Sequence, residues 1–288
     1  MNPWYYLHTM KKFFIFGILA YGLISIDFLD DDDIVFVPSA SPEAGLDIGS
    51  DTDAGYQPLS ACPEGMLRIT GEYCPLVDEA CLKWLDTDLS QSSNGGMGPL
   101  RCAKFKSPTK CLSKNKVYKD FCMDKFEFPN REGALPEVGR TFLQAQTICE
   151  NAGKRLCTDS EWTFACEGPD MHPYPYGDGY ERNEDTCNTH YLPMPVGTPK
   201  SKWKDYYKAE PSGANSGCVS PFGIYDMSGN VDEHVVNESG HPYKSGLKGG
   251  YWTYLVRTRC RPMTVAHNET YAYYQNGFRC CSSIIGNE

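Results

Sequence analysis

Gly223–Val235, GIYDMSGNVDEHV, sets three carboxylates, Asp226, Asp232 and Glu233, around a Gly-Asn turn. Acids at that spacing suit three chemistries: binding a hard cation, moving a proton between carboxyl groups, or simply solvating a turn. The second reactive population is the 14 cysteines, all lying between Cys62 and Cys281. Their closest spacings are Cys280-Cys281, Cys74…Cys81, Cys149…Cys157 and Cys157…Cys166. None is a C-x₂-C knuckle, which argues against structural zinc. The six histidines, His8, His172, His190, His234, His241 and His267, are scattered and include no i, i+4 pair. No G-x-S-x-G is present, so serine hydrolase chemistry lacks its local signature.

The elements that must position these groups begin after an export-type N-terminus. MKKFFIFGILAYGLISI, Met10–Ile26, has two lysines followed by an apolar run, the n-region and h-region of a secretory signal. The run is shorter than the roughly 20 residues that span a bilayer, so residues 1–29 read as a signal peptide or a signal anchor. Residues 30–61, rich in Asp, Ser, Pro, Gly and Ala, cannot bury enough surface to offset ordering and read as a flexible acidic linker. An even, dispersed set of cysteines behind such a start predicts disulfides formed outside the cytosol, in a periplasmic or extracellular location. The net charge of −10, part of it local to Asp27–Asp33, argues against nucleic acid.

Residues 62–120 form a cysteine-rich lead-in. The six cysteines from Cys62 to Cys122, namely Cys62, Cys74, Cys81, Cys102, Cys111 and Cys122, allow 15 pairings that spacing does not resolve. One weak helical patch is expected at Asp78–Trp84. FCMDKFEFPN, Phe121–Asn130, alternates like a strand and opens the main domain, 121–288. In RTFLQAQTICENAGKRLCTDSEWTFACEG, Arg140–Gly168, Phe142, Ala145, Ile148 and Cys149 make a stripe at helical spacing that Gly153 ends. Thr158 with Glu161 is a capping box opening a second helix, closed by Gly168.

AGKRLCTDSEWTFAC is followed in order by YPYGD (Tyr174–Asp178), CN (Cys187–Asn188), FGIYDMSGNVDEHV, LKGGYW (Leu247–Trp252), RTRCRP and NGFRCC. This ordered set resembles the sulfatase-modifying-factor family, which contains the formylglycine-generating enzyme and the sulfoxide synthases of ergothioneine biosynthesis. The resemblance covers about Phe121 to Ile284. It implies an α+β fold of C-type-lectin-like topology with little regular secondary structure. It also implies two disulfides, Cys149–Cys280 and Cys166–Cys260. Cys157, Cys187, Cys218 and Cys281 remain for further bridges, and Cys187–Cys218 is the pairing expected among them.

Formylglycine-generating enzymes look like copper-dependent oxidases using two thiolates, as soft copper(I) requires. The corresponding interval here, GGYWTYLVRTRC (Gly249–Cys260), contains no cysteine before Cys260. Tyr251, Trp252 and Tyr254 occupy it instead, as domain core or as a ligand surface. Copper is therefore not expected. The sulfoxide synthases use a three-histidine iron site, which the scattered histidines do not supply.

What the resemblance does imply for the acidic loop is calcium. The ligands carried over are the Asp226 and Glu233 carboxylates with the Gly229 and Val231 carbonyls, and at a second site Asn188 with the Thr189 carbonyl. Most members carry WEW where this chain has Asp232-Glu233-His234, so two packing aromatics are replaced by polar groups, and this face is expected to meet another protein. The resulting expectation is a non-catalytic, exported, disulfide-stapled and calcium-binding scaffold or binding subunit of a membrane-associated envelope complex, with protein partners there. Two alternatives stay open: a metal-dependent oxidase or oxygenase with an atypical site, and a lectin-like module for a glycan or peptide.

Overall fold

Thr141 and Thr158 each close a capping box, and each starts a helix. Thr141 Oγ1 accepts from Gln144 N ahead of α1, Phe142–Asn151. Thr158 does the same with Glu161 ahead of α2, Asp159–Glu167. Two orphan N–H groups are thereby satisfied in each first turn. The computed structural model describes residues 62–86, 101–195, 197–254 and 257–284. The expected signal segment and acidic linker lie outside the described residues. No helix among the described residues is long and apolar enough to cross a membrane.

Two four-stranded sheets carry the domain. In the first, β1 (Met66–Tyr73), β6 (Val117–Asp124), β12 (Cys280–Ser282) and β7 (Arg155–Leu156) lie in that order and pair antiparallel. The second has β10 (Met263–Thr264), β9 (Ser245–Lys248), β8 (Asp232–Val236) and β11 (Asn276–Phe278), with β11 parallel to β8. α2 packs between them: Trp162, Phe164, Ala165 and Cys166 are buried against Ile69, Met123, Ile224, Met227 and Val235. Short strands, long loops and a few helices make this an α+β architecture, in keeping with the C-type-lectin-like fold that the family resemblance implies.

The lead-in is integrated with this core. β1 pairs with β6 over eight residues, and Cys62 is bonded to Cys122. The helical patch expected at Asp78–Trp84 is instead extended, forming β2 (Val77–Asp78) and β3 (Cys81–Trp84). Tertiary pairing overrides local propensity there. β2 joins β5 (Lys110–Cys111), β3 joins β4 (Cys102–Phe105), and the Cys74–Cys111 and Cys81–Cys102 bridges staple the two arms. The strand expected at Phe121–Asn130 stops at Asp124 because Asn130 closes a turn, its Oδ1 accepting from Phe126 N at 3.0 Å.

The remaining cysteines pair as Cys149–Cys280, Cys157–Cys281, Cys166–Cys260 and Cys187–Cys218, leaving none free. Seven bridges are characteristic of a protein folded in an oxidising environment, beyond the reducing cytosol.

Candidate functional site

The loop leading into β8 bends through three residues with positive φ: Asp226 at 61°, Gly229 at 82° and Asn230 at 53°. Gly229 has no substitute. A Cβ there would lie 2.2 Å from Asn188 O and 2.5 Å from Thr189 Cγ2. Asn188 and Thr189 are thus pressed onto the loop's apex, and Asn230 N donates to Asn188 O at 3.0 Å. The two groups of residues expected to bind calcium, far apart in sequence, meet along one seam.

The carboxylates of that seam face inward. Asp226 Oδ2 accepts from Gly213 N at 2.7 Å. Glu233 is held by Arg279, Nε to Oε2 and Nη2 to Oε1 at 2.7 Å each, and by Trp162 Nε1 at 2.9 Å. A third acid, not singled out in the sequence, completes the group. Glu127 accepts from Asn230 Nδ2 at 2.6 Å, Ser212 Oγ at 3.1 Å and Val231 N at 3.3 Å. All three acids are buried. Burial, then the charges of Asp226 and Glu233, push the Glu127 carboxyl far above the usual range. Burial raises Asp226 to about 6. The Glu233, Glu127 and Asp226 carboxylates together outweigh burial and hold Arg279 above its ordinary value. Three acids share one guanidinium, so burial favours the protonated forms of Glu127 and Asp226 unless a further cation is present.

One end of this seam carries an unsatisfied oxygen. Asn188 Nδ2 donates to Lys208 O and Asn230 Oδ1, whereas its Oδ1 is buried without a partner. An orphaned amide oxygen is a donor type that calcium takes. Among the described residues no three His, Cys, Asp or Glu side chains are grouped to hold a metal, so an ion here must also use amide and carbonyl oxygens. The Glu233 end is different, since that carboxylate already neutralises Arg279.

The other two members of the DEH triplet are internal. Asp232 forms a two-point ion pair with Arg257, at 2.9 and 2.5 Å. His234 Nε2 lies 3.0 Å from Arg140 O, and burial lowers this histidine to about 4, keeping it neutral. Both are buried, which corrects the expectation that these side chains face a partner protein. Polar groups stand where aromatics would pack because each has found an internal counterpart.

Trp252, placed by sequence at a ligand surface or in the core, is core. It is 1 % exposed and packs edge-on against Tyr207, Tyr251 and Tyr274. A 3₁₀ turn, Lys200–Tyr206, brings Trp203 to 4.5 Å from Tyr273 and covers this cluster. Tyr254 lies under the Arg101 guanidinium at 5.7 Å. Glu127 and Arg279 were the residues that sequence reasoning passed over. Their signal lay in FEFPN and GFRCC, where a charge sits inside an otherwise apolar run.

The model of the sulfatase-modifying factor enzyme 1-like domain matches residues 97–284, starting inside the stretch read as the lead-in. The serine/threonine-protein kinase pkn1 of Chlamydia caviae is 26% identical over 175 residues, 52% of this chain and 24% of the kinase. Its counterpart from Chlamydia pneumoniae is 27% identical over 175 residues, with the same shares. The match therefore spans about a quarter of the length of these relatives. PvdO from Pseudomonas aeruginosa is 15% identical with a TM-score of 0.44, covering 78% of this chain and 96% of PvdO. The family match takes in more than half of the chain, including the acidic loop and Cys149, Cys166, Cys260 and Cys280, and the chain belongs to the sulfatase-modifying factor enzyme 1-like domain family.

Proposed function

We propose that this chain is a non-catalytic member of its family: an exported, calcium-stabilised scaffold or binding subunit of a membrane-associated complex. The observation that carries the reading is the use made of the cysteines. Every one is bonded to another, and Gly249–Cys260 has aromatic core residues where copper chemistry needs thiolates. Cys260 itself is bonded to Cys166 at the end of α2. Calcium is the ion that the seam's chemistry favours, through Asn188 Oδ1, the Asp226 carboxylate and neighbouring main-chain oxygens. Its role is structural, holding the buried Asp226 carboxylate in its ionised form at the bend of the loop.

Elemental analysis of the full-length protein purified from its native membrane tests this. Stoichiometric calcium without copper or iron is expected, together with co-purification of fixed membrane proteins. A stoichiometric redox metal overturns the reading.

A further inference from the structure

Residues 76–86 and 101–112 form a two-armed ribbon. Main-chain bonds from Leu112 to Leu76, Lys106 to Ala80 and Leu85 to Arg101, at 2.8 to 2.9 Å, extend the pairing beyond the short strands. The connection between the arms, 87–100, lies outside the described residues. One side is anchored to the domain: Cys102 and Phe105 pack with Tyr174, Tyr176 and Tyr180, and Tyr174 donates to Cys102 O at 2.7 Å. The disulfides Cys74–Cys111 and Cys81–Cys102 make the ribbon rigid.

Its remaining surface is unusual for this chain in two independent ways. Leu76, Leu82, Trp84 and Leu112 are 59, 61, 50 and 57 % exposed, and Leu82 and Trp84 both lie on β3, whose pairing with β4 is irregular on either side of Lys83. Burying such groups is favourable, so four of them left in water on a rigid element mark a contact surface. Charge is the second feature. Lys104–Lys119 contains six lysines and no acid, in a protein whose net charge is −10. Lys104 and Lys116 are paired with Glu181 and Glu72, whereas Lys106, Lys110 and Lys114 have no ion-pair partner among the described residues.

We infer that this ribbon is a docking surface for an anionic lipid bilayer, with Leu82 and Trp84 entering the headgroup layer and Lys106 and Lys110, together with Lys114 just beyond the second arm, meeting lipid phosphates. Apolar side chains set among lysines, on an element only two strands wide, suit shallow insertion into an interface. A deep protein groove would take a continuous apolar face instead. Each lysine brought to such a surface strengthens binding by about fivefold at ordinary ionic strength. The inference rests on the membrane-associated reading above and adds to it the surface and the lipid charge.

The test uses the full chain on vesicles of phosphatidylcholine alone or with about 30 % phosphatidylglycerol. Surface lysines are labelled with an amine-reactive reagent and located by peptide mass. Labelling of Lys106, Lys110 and Lys114 is expected to fall at least about fivefold on the anionic vesicles only. Lys200, Lys202 and Lys204, exposed and outside the ribbon, serve as the reference and stay reactive. The protection should vanish in a Leu82→Ser, Trp84→Ser double variant, which alters only exposed side chains, and at ~0.5 M salt. Equal labelling on both vesicles, protection extending to the reference lysines, or the same protection by soluble heparin without vesicles overturns the inference. A chain that sediments with vesicles yet keeps reactive ribbon lysines sinks this inference alone. One that sediments with neither vesicle also overturns this inference, whereas the membrane-associated reading stands or falls on co-purification of membrane proteins from the native membrane.

Discussion

Arg279 holds Glu233 across 46 positions of sequence through two parallel bonds of 2.7 Å, with both side chains removed from water. The pair ties β8 to the segment between β11 and β12. Arg279 Nη2 also donates to Tyr225 O at 2.9 Å, fixing the start of the acidic loop. One guanidinium therefore orients both ends of the loop.

Glu233→Gln should cost about 3–5 kcal/mol, because it leaves a buried guanidinium without its counter-charge. The double change Glu233→Gln, Arg279→Met should recover part of that loss, since it removes the stranded charge too. Urea unfolding measures both. A single variant as stable as the parent would show that the pair does not hold the loop.

Asp226 and His234 give the protein opposing pH dependences. Asp226 titrates near 6 when folded and near 3.9 when unfolded, so the folded state binds its proton more tightly. Its contribution to stability is therefore full below the unfolded value and is lost as pH rises towards about 6. His234, lowered to about 4, does the reverse: its contribution is present above the unfolded value of about 6.5 and is lost as pH falls towards 4. Comparing Asp226→Asn with the parent at each pH isolates the first slope. In chelator the variant should gain on the parent by on the order of 2 kcal/mol between the two ends of that window. Excess calcium should abolish that gain, since the ion favours the ionised carboxylate; melting temperatures with and without calcium provide the measurement.

Gly229→Ala should destabilise the domain by at least about 2 kcal/mol. The φ of 82° disfavours any side chain, and the new Cβ would meet Asn188 O at 2.2 Å. Because Asn188 and Thr189 would have to retreat, calcium-dependent stabilisation should shrink in the same variant. A normal calcium response would separate the apex of the loop from the ion site.

Trp252→Ala separates core from ligand surface. A side chain buried among Tyr207, Tyr251 and Tyr274 should cost about 3–5 kcal/mol on truncation. A residue serving a ligand would lose binding while leaving the melting temperature nearly unchanged. Differential scanning calorimetry of the variant against the parent decides between them.

The helices were legible in the sequence because their causes are local. Thr158 and Glu161 are three residues apart, and a capping box needs only that spacing. The oxidising location was legible for a similar reason, since number and dispersion of cysteines are properties of composition. The family motifs carried the fold and pointed to the acidic loop and to Asn188 as two separate calcium sites; that the two meet along one seam was decided by the tertiary structure. What only the tertiary structure decided was which charges meet. Nothing within ten residues of Glu233 announces Arg279, and nothing near Asp232 announces Arg257, because such pairs form when distant strands close on one another. The same closure turned Asp78–Trp84 from a weak helical pattern into strand, since two disulfides and a neighbouring arm outweigh a few tenths of a kcal/mol of propensity. Local chemistry set the pieces; burial, which depends on every piece at once, chose the partners.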